Sequence, residues 1–199
     1  MTDRRAAIIS AAISLFSRDG YAAVGMVDIG AACDLSAAAL YLHFPSKAAL
    51  LDAVCSDFMR KVDEHLQHEI GELEDPRVRF VRRMRSHAEF VVGNRDQLRV
   101  IRREIEHLPL SDQRRIRSDV RRLMDNWIAD LRFVRPELAH AEASVAAFAG
   151  LSVLQSIATN SSGLAEDDLV DLLAAGAAAA QLADWSPSSL TNRRPTKSG

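Results

Sequence analysis

Ser36, Tyr41, His43 and Lys47 place a hydroxyl, a phenol, an imidazole and an ammonium close together in the chain. All four are short-range donors to phosphate oxygens, the contacts that position a protein on a nucleic-acid backbone without reading its sequence. Between them lie Ala37, Ala38 and Ala39, which offer only methyl groups. A methyl can touch the C5-methyl of thymine but cannot make the bidentate bonds that separate guanine from adenine. Thr2, Arg4 and Arg5 near the N-terminus are further candidates for backbone or minor-groove contacts.

Other chemistries are poorly served. The chain has no Gly-rich phosphate loop and no nucleophile elbow, so it is not expected to be an enzyme or to need a cofactor. His65 and His68, with Glu64, Glu69 and Glu72, have spacings that a metal could use, but such histidines on an acidic helix more often form a solvated face, and no metal site is assigned. Cys33 and Cys55 are the two cysteines. Cys33 reads as a packed apolar residue, and a reducing cytoplasm is the natural compartment for such a chain.

The donors need a frame, and residues 24–47 supply one. Met26, Ile29 and Cys33 share one side of a short helix, Leu40 and Phe44 one side of a second, and Leu35 sits in the turn between them. Ser36 is placed to cap the second helix and Pro45 cannot continue it. This is the pattern of a helix-turn-helix, whose second helix enters the major groove. An amphipathic helix carrying Ile9, Ala12, Ile13 and Phe16 precedes it.

Ala12, Phe16, Gly20, Tyr21, Ile29, Ala32, Ser36, Leu40, Tyr41, His43, Phe44, Ser46, Lys47 and Leu50 include F-x-x-x-G-Y, L-Y-x-H-F and S-K-x-x-L elements in order. On these residues the first quarter of the chain resembles the DNA-binding head of the TetR family of bacterial transcription regulators. The resemblance implies phosphate contacts from Ser36, Tyr41, His43 and Lys47. It also implies a ligand pocket among the middle helices of a second domain. Val27 and Leu42 depart from the family, standing where polar or basic side chains are common. Gly25 replaces the usual threonine cap, and Asp34-Leu35 replaces glycine and an apolar residue in the turn; aspartate tolerates left-handed backbone angles, so the turn is expected to survive.

The rest of the chain reads as helix throughout, with no sustained two-residue alternation. Helices are expected near 3–18, 26–33, 36–44, 46–70, 76–93, 95–107, 111–132, 136–161 and 166–184, giving an all-α fold of about nine helices. Residues 1–47 form the head, 48–185 a ligand-binding and dimerisation domain, and 186–199 a disordered tail poor in apolar residues. No uninterrupted run of about 18 apolar residues suggests a membrane partner.

Charge is unevenly spread. The head is neutral, whereas residues 77–122 hold fourteen arginines against six carboxylates. The excess suggests either solvated helix faces or an anion-binding site, in which Arg85, Arg99 and Arg102 would join Met84, Ile105 and Trp127 around an apolar-bodied anionic effector such as an acyl thioester. Arg82 and Arg103 are further candidates. Leu169, Leu173, Gly176, Ala177 and Ala180 recur at helical spacing with little side chain, and with Phe148 they suggest a homodimer interface. The expected function is a one-component regulator, a repressor released from a palindromic operator by a small molecule. The alternative is an all-α ligand-binding or interaction protein with a vestigial head.

Overall fold

Helix starts coincide with residues able to occupy the free N–H groups of a first turn. The Ser36 hydroxyl accepts from Ala39 N–H at 3.1 Å, and the Asp75 carboxylate accepts from Arg77 N–H at 2.8 Å, with Pro76 at the first helical position. Glu142 takes the N–H of Ala139 at 2.8 Å. The computed structural model describes residues 2–67, 75–159 and 163–183, and among these the chain is all α-helical. The elements are α1 Thr2–Asp19, α2 Met26–Ala32, α3 Ala37–His43, α4 Lys47–Gln67, α5 Pro76–Gly93, α6 Arg95–Glu104, α7 Leu110–Val134, α8 His140–Gln155 and α9 Glu166–Leu182. Single 3-10 turns continue α6 over Ile105–His107 and α8 over Ser156–Ala158.

Three boundaries differ from the sequence expectation, one being the end of α8, whose α-helix stops at Gln155 and tightens through Ala158 instead of running to 161. Helix α8 starts at His140 rather than near 136, because Pro136 and its neighbours form a turn in which Leu138 N–H donates to Arg135 C=O. Arg135 is buried there and donates to the carbonyls of Gln181 at 3.3 Å and Ala183 at 2.7 Å, capping the end of α9. Helix α6 stops at Glu104 and tightens before Pro109. The tail at 186–199 and the expected helix ends at 70 and 184 lie outside the described residues.

The molecule has two cores, and α4 serves both. Its first half gives Leu50, Leu51, Val54 and Cys55 to the core of the head, where they meet Ile8, Ala12, Phe16, Ile29, Leu40 and Phe44. Its second half gives Phe58 and Met59 to the other core, with Phe80, Met84, Ala88, Leu131 and the inner faces of α8 and α9. The head core is completed by Val100, Leu108 and Ile116, from α6, the loop that follows it and α7. Helix α6 is therefore wedged between the cores: Leu98 faces one and Val100 the other, with Ile101 touching both. The simple stripe Leu98, Ile101, Ile105, Leu108 misses this, since Ile101 and Ile105 are only half-buried.

Among the described residues, the stretch His140–Ala158 is long and apolar enough by composition to cross a membrane. Its packing supplies another account. Ala143, Ala146, Ala147, Gly150 and Leu154 are buried against the rest of the chain, while Val145 and Phe148 on the opposite side are 67% and 49% exposed. The stretch is thus packed against its own chain on one side and exposed on the other.

Candidate nucleic-acid interface

The head is built by three local devices. Gly20 closes α1 at φ +88°, a left-handed angle suited to glycine. Asp34 holds φ +55° in the turn between α2 and α3, a conformation aspartate accepts better than most residues. Gly30 lets the turn come close, since a Cβ there would lie 2.8 Å from the Leu35 carbonyl oxygen. The Gly25 N–H is held by the Asp28 carboxylate at 2.7 Å, so the missing threonine cap is answered from inside α2.

The cations of the head brace it from within. Arg4 donates to the Cys33 carbonyl at 3.3 Å, at the end of α2. Arg5 donates to the His43 carbonyl at 2.9 Å, at the end of α3, with its guanidinium 4.1 Å from the centre of the Phe44 ring. Both positions suit a cation, because carbonyls at a helix C-terminus carry partial negative charge. Lys47 donates to the carbonyls of Tyr21 at 2.8 Å and Val24 at 2.9 Å and lies over the Tyr21 ring. Arg18 pairs with Asp19.

Of the residues expected to face DNA, Ser36, Ala38 and Tyr41 are exposed, Ala37 and His43 half-exposed. The Tyr41 hydroxyl makes no hydrogen bond among the described residues. Ala38, Tyr41 and Leu42 share the outer face of α3, opposite the buried Leu40. Cys33 is half-buried, its thiol pushed up by desolvation.

These placements separate structural from contact roles. Lys47→Met should lower stability by about 2 kcal/mol, roughly 4–8 °C in Tm, because two charge-assisted hydrogen bonds to loop carbonyls disappear. Tyr41→Phe should leave Tm unchanged. Thermal denaturation followed by circular dichroism checks both, and an unchanged Lys47→Met melt would remove the bracing role.

A buried carboxylate joins the head to α6. Glu104 accepts from the Tyr21 N–H at 3.3 Å and pairs with Arg103 and His107. Arg103 also donates to the Phe16 carbonyl, and Arg99 donates to the Ser17 hydroxyl at 3.0 Å. Glu104, expected from the sequence to pair with arginines on a solvated helix face, is instead buried; its position on the inner side of α6, in line with Val100, was the available signal.

The six residues expected around an effector are not brought into one site. Arg85 pairs with Asp171 and Glu89 at the surface, Arg99 with Asp96 and the Ala158 carbonyl, and Arg102 with Gln155. Ile105 packs against the core of the head. Met84 and Trp127 do meet, through Gln181: its Oε1 accepts from Trp127 Nε1 at 2.6 Å and its Nε2 lies 3.1 Å from Met84 Sδ. Gln181 is fully buried and fits because residue 150 is glycine; a Cβ there would lie 2.1 Å from Gln181 Nε2.

His87 stacks on Trp127 with ring centres 4.8 Å apart, and His65 turns inward to Ser86 and His87. His65 is thus half-buried rather than part of a solvated face; His68, Glu69 and Glu72 lie outside the described residues. Burial pushes the His87 imidazole down from 6.5 to about 3, reinforced by the neighbouring His65 and Arg83 charges.

The expected dimer residues are also divided. Leu169, Leu173 and Ala177 are buried inside the protomer, and Gly176 faces Val153. Ala180 is half-buried and Phe148 exposed. The small-residue stripe of α9 is the seat of α8 within one chain.

Residues 8–54, which contain the whole helix-turn-helix, match the family model described as bacterial regulatory proteins, tetR family. Over these residues the chain is similar to the DNA-binding region of tetR-family regulators. An uncharacterised HTH-type transcriptional regulator, YerO of Bacillus subtilis (strain 168), is 36% identical over 73 residues, which are 33% of this chain and 25% of that protein. The chain thus spans about a quarter of the length of that curated relative. Two solved structures share the fold over nearly their full length. A TetR-family regulator from Bordetella parapertussis 12822 superposes with TM-score 0.76 at 22% identity, covering 91% of this chain and 95% of that one. AibR, crystallised with isovaleryl coenzyme A and operator DNA, superposes with TM-score 0.74 at 22% identity, covering 86% and 96%.

Proposed function

We propose that this protein is a homodimeric repressor of the tetR family that binds a palindromic operator through α3 and is released by a small amphipathic molecule bound in the second domain. The observation that carries the reading is the shared core: Val100, Leu108 and Ile116 complete the interior of the head. A shift of α6 therefore cannot leave the head where it was, because packed interiors rearrange rather than deform smoothly. A ligand releases DNA only by as much as it favours the arrangement that fits DNA less well.

The effector is an apolar-bodied molecule with an anionic group, an acyl thioester being the class that AibR suggests. Its body would lie against Met84 and Trp127. Arg85, Arg99 and Arg102 have bracing partners at the surface, so an anionic group meeting them would compete with Asp171, Asp96 and Gln155. The dimer would form on the outer faces of α8 and α9, where Val145, Phe148 and Leu172 are exposed.

The competing reading, an all-α ligand-binding or interaction protein with a vestigial head, draws on the internal engagement of Arg4, Arg5 and Lys47. Selection from a pool of randomised duplexes separates the two. The regulator reading expects enrichment of a sequence with two inverted half-sites, bound by two chains as measured by light scattering. Absence of any enriched sequence would favour the vestigial head.

A further inference from the structure

Resting on the DNA-binding reading above, we infer that the head recognises its operator through the C5-methyl groups of pyrimidines, chiefly thymine, and that Leu42, flanked by Ala38, is the side chain that reads them. Leu42 is 89% exposed and Val27, at the start of α2, is 68% exposed. These are the two most exposed large apolar side chains among the described residues. An exposed leucine beside an exposed alanine on the outer face of α3 has no packing role within the head, whose core already holds Leu40 and Phe44.

The same face lacks the usual means of reading bases. Ala37, Ala38, Ala39 and Leu42 carry no hydrogen-bonding group, and Tyr41 and the half-exposed His43 supply the only ones among the outward residues of α3. The arginines and the lysine of the head that could have reached a guanine edge are turned to protein groups: Arg4 and Arg5 to helix ends, Lys47 to the loop carbonyls and Arg18 to Asp19. What an alkyl surface can distinguish in the major groove is the presence or absence of a methyl group. Thymine carries one, and so does 5-methylcytosine; an unmodified operator offers thymine.

Burying one methyl changes affinity about fourfold, and a symmetric pair of half-sites doubles the logarithm, to about fifteenfold. The test takes the duplex enriched from the randomised pool and compares it, by fluorescence anisotropy, with the same duplex in which deoxyuridine replaces every thymine. The uracil duplex should bind at least about fifteenfold more weakly, with the loss confined to one or two positions in each half-site. Leu42→Ala should make the two duplexes equal at the most sensitive of these, while Leu42→Met preserves the difference. Neither change threatens the fold, since the side chain is in solvent. At that position a C·G pair should bind as weakly as U·A, and 5-methyl-C·G as tightly as T·A.

Equal affinity for thymine and uracil duplexes would overturn the inference while leaving the regulator reading intact. So would a 5-methyl-C·G pair that stays as weak as C·G, because the readout would then be of the thymine carbonyl or the adenine amine. Failure to enrich any duplex would overturn the regulator reading itself, and this inference with it.

Discussion

Ala177→Arg is expected to abolish folding, whereas Phe148→Arg should yield a folded monomer. Ala177 is fully buried between α9 and the rest of its own chain. An arginine there must find room in a close-packed interior and leaves a charge without a partner. Overpacking costs about 1–3 kcal/mol and an unpaired buried charge about 3–5 kcal/mol, together a large part of the roughly 5–15 kcal/mol that holds a domain together. Phe148 lies on the far side of α8 and is 49% exposed, so the same arginine there meets solvent in the isolated chain. It meets its symmetry mate only if two protomers pack through this face. Circular dichroism and light scattering separate the outcomes. A folded Ala177→Arg monomer would place α9 at the interface between chains, and an intact Phe148→Arg dimer would move the interface elsewhere.

The contrast shows what periodicity conveys. The recurrence of Leu169, Leu173 and Ala177 states that one face of α9 is covered; it does not state by which chain. Within the protomer α5 and α8 supply the cover, with Gly176 set against Val153 and Gln181 seated over Gly150. The exposed face of α8 was harder to find, because Val145 and Phe148 stand among apolar residues on every side and no polar stripe marks them as outward.

The head was the most legible part. Short helices leave few choices of interior face, so Met26, Ile29, Leu40 and Phe44 could be placed by spacing and are buried. The cap at Ser36 and the left-handed angle at Asp34 are local properties of those residues and appear as expected. Cation partners were not legible by the same means. Counting arginines over 77–122 gives a charge but no direction, and Arg103 reaches the Phe16 carbonyl across 87 positions of sequence. Likewise Lys47 reads as a phosphate donor from its surroundings in sequence, while folding brings the Tyr21 and Val24 carbonyls within its reach.

Acid should weaken the fold through His87. Its imidazole is desolvated between α4, α5 and α7, stacked on Trp127 and facing His65, with Arg83 adding like charge. The folded state therefore holds it neutral down to about pH 3, against 6.5 for an ordinary histidine. The sign follows from proton counting: below pH 6.5 the unfolded chain takes up a proton that the folded chain refuses, so acid favours unfolding. Above pH 6.5 both states are neutral and the residue contributes no pH dependence. Each pH unit between these values costs about 1.4 kcal/mol, so stability should fall by about 2 kcal/mol from pH 7 to pH 5, and the loss levels off near about 5 kcal/mol below pH 3. His87→Phe keeps an aromatic ring against Trp127 and removes the titrating group, so its unfolding free energy should lose about 2 kcal/mol less over the same interval. Urea unfolding of both proteins at pH 7 and pH 5 makes the comparison, with the remaining carboxylates and histidines common to the two. Equal acid losses in the wild type and His87→Phe would show that the buried imidazole does not set the acid limit of the fold.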